Sequence, residues 1–167
     1  MRRLCLILLC CLVIAPVALA STLAPGDGVL ELSKVNGAVA VTASRGTLWG
    51  QMDKGKLVVT DPAVGDGQIL VSGWDTKRPG LLDGTTVYSG TNVRFRVSGG
   101  GNYRLSLRGS GIDLTAVGVG SSQLSGDLLA VEPGNYALDS GKWIPVPYFP
   151  ASRLVRFGAQ PATVGGP

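Results

Sequence analysis

Histidine is absent from the 167 residues, and the three cysteines, Cys5, Cys10 and Cys11, all fall at the N-terminus. Without imidazole, a Ser-His-Asp triad or a Cys-His pair is impossible within the chain. Beyond Cys11, zinc, copper and haem sites that use imidazole or thiolate are excluded too. Glutamate is scarce, with only Glu31 and Glu132. After Pro16, no apolar run approaches the roughly 20 residues that span a bilayer as a helix. Helical periodicity is missing beyond the N-terminus, and a period-2 alternation recurs in its place.

The N-terminus is a separate unit. Arg2 and Arg3 precede the apolar run Leu4 to Ile14, Pro16 breaks it, and Ala18-Leu19-Ala20 supplies small residues before Ser21. A positive start, about 11 apolar residues and an Ala-x-Ala site predict a signal peptide over residues 1–20. Leu9 before Cys10 and Cys10 before Cys11 lack the small residue of a lipid-attachment site. The expected location is secreted or extracytoplasmic, at the cell envelope. Membrane contact is expected only through the signal peptide before cleavage.

Removing residues 1–20 leaves 147 residues with no cysteine, enough for one domain that holds a core without disulfides. Its charge is +2, from 13 Lys and Arg against 11 Asp and Glu. That balance gives no case for nucleic acid. All 25 glycines lie in this part, about 17% of it against a usual 7% or so. They separate short alternating apolar segments. The pattern predicts an all-β domain over 21–150, an antiparallel sandwich or roll of about 10–13 short strands, with a β-solenoid as the alternative. Residues 151–167 are expected to be a disordered C-terminal tail. Asn36-Gly37, flanked by Val29–Val35 and Ala38–Ala43, predicts a two-residue hairpin that sets Leu32 opposite Val41.

Asn92–Arg108 is the most ordered stretch. Val93, Phe95 and Val97 alternate with Arg94 and Arg96; Tyr103, Leu105 and Leu107 alternate with Arg104 and Arg108. A hairpin here would gather the four arginines on one face, with Arg96 across from Arg104. Such a face would bind phosphate, sulfate or carboxylate polymers through bidentate guanidinium contacts. A solvated strand face neutralised by nearby carboxylates is the plainer reading of the same arginines.

The segment Trp74 to Gly84 reads as a long surface loop. Trp74, with Lys77 and Arg78 beside it, is a second candidate contact. Trp49 and Trp143 fall in strand patterns and are expected in the core. Gly109-Ser110-Gly111-Ile112-Asp113-Leu114 matches one partial copy of a calcium-binding repeat, but no second copy completes an oxygen shell. The aspartates sit in turns, where they cap their own backbone. A glycosidase needs only two suitably spaced carboxyls, so carboxylate chemistry stays open. No catalytic residue, metal ligand or cofactor is expected.

Three strings carry a resemblance: Asp53-Lys54-Gly55-Lys56-Leu57-Val58-Val59-Thr60-Asp61-Pro62, Thr86 to Thr91 leading into Arg94-Phe95-Arg96, and Gly111 to Gly118. In this order the chain resembles a group of uncharacterised exported proteins from high-GC Gram-positive bacteria, over residues 28–146. The resemblance implies an extracytoplasmic setting and carries no activity. The expected function is a non-catalytic β domain with a binding or structural role at the envelope. Its partner is expected to be an anionic envelope polymer or an envelope protein. The alternative is a hydrolase of envelope polysaccharide.

Overall fold

The computed structural model describes residues 23–62, 65, 67–99 and 101–159. The expected signal peptide and residues 160–167 lie outside them. Eight strands follow one another: β1 (Gly28–Thr60), β2 (Gly67–Ser72), β3 (Thr76–Pro79), β4 (Thr85–Gly99), β5 (Tyr103–Gly126), β6 (Asn135–Leu138), β7 (Ile144–Pro145) and β8 (Arg153–Phe157). Every pair of these strands is antiparallel, in one sheet with open edges. The all-β antiparallel expectation holds, whereas a solenoid would pair its strands in parallel.

The strands are fewer and longer than expected, with 33 residues in β1 and 24 in β5. No hairpin forms at Asn36-Gly37, which lies inside β1. Leu32 pairs with Leu114 and Tyr136, and Val41 with Leu105 and Ser122. The tail expected from residue 151 also needs correction, because β8 pairs with β5 from Gly120 to Leu124.

Ala43 lies between Tyr103 on one side and Gly120 on the other. Those two β5 residues would be roughly 55 Å apart along a straight strand, yet two strand spacings put them about 10 Å apart. The ribbon of β1 and β5 is therefore wound into a coil. It turns along two lines of glycine. One runs Gly67, Gly99, Gly46, Gly118, Gly28 across the sheet, and the other Gly90, Gly55, Gly109, Gly37, Gly126. Gly46 has φ +125° and Gly118 φ +141°, values that a side chain rarely tolerates. Glycine inside a strand here marks a corner and not a chain reversal.

The corners divide the sheet into two halves over a single core. One half is β2, the end of β4, and segments of β1 and β5 flanked by β6. The other is β3, the start of β4, and the remaining segments of β1 and β5 flanked by β8. Inward positions in β1 are even up to Leu32, odd from Val35 to Ala43, even from Leu48 to Met52 and odd again at Leu57 and Val59. The pairing register shifts between Leu32 and Val35 and between Ala43 and Arg45, which keeps apolar side chains inside across these corners. Leu30, Leu48, Leu57, Leu105 and Leu107 are fully buried in one cluster.

Candidate functional site

The expected apolar face of Asn92–Arg108 is real. Val93, Phe95, Val97, Tyr103, Leu105 and Leu107 are all buried, and Arg94, Arg96, Arg104 and Arg108 are exposed. The arginine cluster is not. Strand β1 runs between β4 and β5, so Arg96 faces Trp49, Arg94 faces Gln51, and Arg104 faces Thr42 and Thr60. Arg108 meets a different cation, its cross-strand neighbour Lys56. Lys54 is two residues from Lys56 along β1. None of these three forms an ion pair among the described residues.

The Trp74–Arg78 stretch is largely strand β3, paired to β4. Trp74 is exposed, with its ring 6.5 Å from that of Tyr88, and Lys77 Nζ lies 5.6 Å from the Tyr88 ring centre. Lys77, Arg78 and Pro79 also blunt a sheet edge against unwanted pairing. Trp49 and Trp143, expected in the core, are 37% and 47% exposed. Outward strand positions and an irregular connection carry them. Asp113 of the partial calcium pattern accepts the Lys34 N–H at 2.9 Å and Gln51 Nε2 at 3.3 Å, which gives it a structural role. Among the described residues, no group of three acidic, cysteine or histidine residues could hold a metal.

A groove of about 1350 Å³ lies where Arg108 and Lys54 reach the second glycine line. Its floor is the outer face of the sheet, made mostly of the small residues Ala38, Ala40, Ser106 and Ser125, with Gln123 beside Ala40. One wall is Leu128 to Glu132, a stretch whose alternation suggests a strand but which forms a loop after Gly126. Phe149 and Pro150 add a second apolar wall. Asp127 and Glu132 are its carboxylates.

Hydrogen bonds hold the loop in place. Asn36, at the end of the floor, donates Nδ2–H to the Glu132 carbonyl at 2.9 Å and its backbone N–H to the Pro133 carbonyl at 3.2 Å. Its own carbonyl accepts the Asp127 N–H at 2.7 Å, and its Oδ1 accepts the Gly111 N–H at 3.0 Å. Asp127 Oδ1 takes the Leu129 N–H at 3.0 Å, and the Tyr148 hydroxyl donates to the Val131 carbonyl at 3.0 Å. The side chains of Leu129 and Val131 stand in solvent at 91% and 96% exposure on this fixed frame.

Sequence reasoning missed the groove because loop and floor are remote in the chain. The available signals were the small outward residues Ala38 and Ala40 and the apolar tetrad Leu128-Leu129-Ala130-Val131. No family model, curated protein or solved structure matches the chain.

Proposed function

We propose that the chain is an exported, non-catalytic β domain that binds an anionic component of the cell envelope. The carrying observation is the Lys54, Lys56 and Arg108 cluster, three cations on adjacent strands with no ion-pair partner among the described residues, beside a groove with fixed walls. Like charges facing each other on a sheet are unfavourable, by up to about 1 kcal/mol, and a bound anion relieves that repulsion. The export signal expected over residues 1–20 and the resemblance to exported bacterial proteins support the envelope setting.

Retention of the full chain on immobilised polyphosphate tests this reading. Replacing Lys54, Lys56 and Arg108 together by Ser is expected to abolish retention, while Arg94→Ser with Arg96→Ser leaves most of it. Equal retention of the triple variant and the parent would overturn it. The second reading, a carboxylate-dependent hydrolase of envelope polysaccharide, is favoured by Asp127 and Glu132 lining one groove. It predicts new reducing ends from envelope polysaccharide, lost in Asp127→Asn or Glu132→Gln.

A further inference from the structure

We infer that the groove takes a single-chain amphiphile, an apolar chain ending in an anionic group. The inference rests on the anion-binding reading above and adds a second half to the ligand. Leu128, Leu129, Val131 and Phe149 are apolar side chains in contact with solvent, and all of them line the walls or rim of one groove. Exposed apolar surface concentrated in a depression marks a site that an apolar partner covers. The hydrogen bonds from Asn36, Asp127 and Tyr148 fix the loop backbone, so these side chains are not collapsed onto the sheet. The floor explains why a narrow chain fits, because Ala38, Ala40 and Ser106 leave room above the backbone that larger side chains would fill.

Charge orients the ligand. Arg108 and Lys54 rise from the sheet at one side of the groove, whereas the apolar walls belong to the loop and to Phe149. The carboxylates lie on the loop: Asp127 is engaged with the Leu129 N–H, and Glu132 is exposed. An anionic head placed at Arg108 and Lys54 therefore leaves its chain lying over Ala38 and Ala40, between the apolar walls.

The test is calorimetric titration of the full chain with lysophosphatidylglycerol below its micellar concentration. Glycerol phosphate and lysophosphatidylcholine are titrated in parallel. The anionic amphiphile is expected to bind at least tenfold more tightly than glycerol phosphate, which lacks the chain. Ala40→Trp, at an exposed position that leaves the core intact, is expected to remove that advantage and leave polyphosphate retention unchanged. Leu129→Ser with Val131→Ser, which removes apolar surface without adding charge, is expected to do the same, with an unchanged urea midpoint. Equal affinity for glycerol phosphate and the amphiphile overturns the inference while the anion-binding function stands. Equal affinity for the zwitterionic lipid overturns the proposed head group. Loss of both amphiphile and polyphosphate binding in Lys54→Ser, Lys56→Ser, Arg108→Ser supports both halves together. A dimer that dissociates on Leu129→Asp, with no amphiphile bound by the parent, assigns the groove to a second copy and overturns the inference.

Discussion

Gly46 and Gly118 face each other across β1 and β5 so closely that a methyl group on Gly46 would collide with the Val117 carbonyl and stand 2.8 Å from the Gly118 Cα. The sheet corners where these two backbones meet. Gly46→Ala adds a backbone clash to an unfavourable φ, so it is expected to cost at least about 2 kcal/mol. Gly65→Ala is the control: its φ is +110° but nothing lies within 4 Å, leaving only the conformational strain. Urea midpoints of the two variants should differ clearly, and equal midpoints would refute the corner account.

Leu107 on β5 pairs with both Val39 and Leu57 of β1 and is fully buried. Leu107→Ala should destabilise by about 2–5 kcal/mol, through lost burial and the cavity left behind. Leu154→Ala, at a 60% exposed position on β8, should stay within about 0.5 kcal/mol. Chemical denaturation checks both.

The Tyr103 hydroxyl is buried without a hydrogen-bond partner among the described residues, and burial pushes its pKa above the usual phenol value. Tyr103→Phe removes an unsatisfied polar group and should not lower stability at pH 7. In the parent, the unfolded chain loses this proton near pH 10 while the folded chain keeps it. Stability therefore falls as pH rises past about 10, by up to roughly 1.4 kcal/mol per unit from this group. Tyr103→Phe should show a shallower decline between pH 10 and 11.5 in urea titrations. An identical decline would mean the phenol is not held neutral.

Under the proposed anion-binding function, Lys56 and Arg108 are expected to pull stability and binding in opposite directions. Lys56→Glu exchanges a like-charge cross-strand pair for an opposite one and is expected to stabilise by about 0.5 kcal/mol, an effect that fades with salt. The same change should weaken polyphosphate retention. A variant that loses stability would place Lys56 in a favourable contact instead.

Asn36→Ala removes two side-chain bonds, to Glu132 and to Gly111. It should lower amphiphile affinity several-fold while costing about 1–3 kcal/mol of stability. Hydrogen exchange should speed up in residues 127–134 first, and uniform acceleration across the sheet would contradict a local role.

Alternation alone revealed which side chains point inward: Val93, Phe95, Val97, Leu105 and Leu107 are buried as their spacing implies. Pairing was not legible from it, because alternation is identical whether a strand meets its neighbour in sequence or one 60 residues away. The nine-residue spacing of Gly28, Gly37, Gly46 and Gly55, repeated at Gly90 and Gly99 and at Gly109 and Gly118, was written in the chain. Glycine beside Asn or Asp also signals a turn, and Asn36-Gly37 fits both patterns. Only the facing glycine on another strand separates a corner from a reversal. The groove has the same origin: Arg108 was visible, but Lys56 and the loop at Leu129 come to it through the fold.

The winding of β1 and β5 has a mechanical consequence. Because each long strand passes from one half of the sheet to the other, the halves cannot swing apart like the covers of a book. Opening can only fray inward from the ends, at β2, β3, β7 and β8. Beyond Cys11 the chain has no thiol to lock it, and its continuous strands restrain it as a crosslink would. Protease should trim the described domain from its edges long before cutting it through the middle.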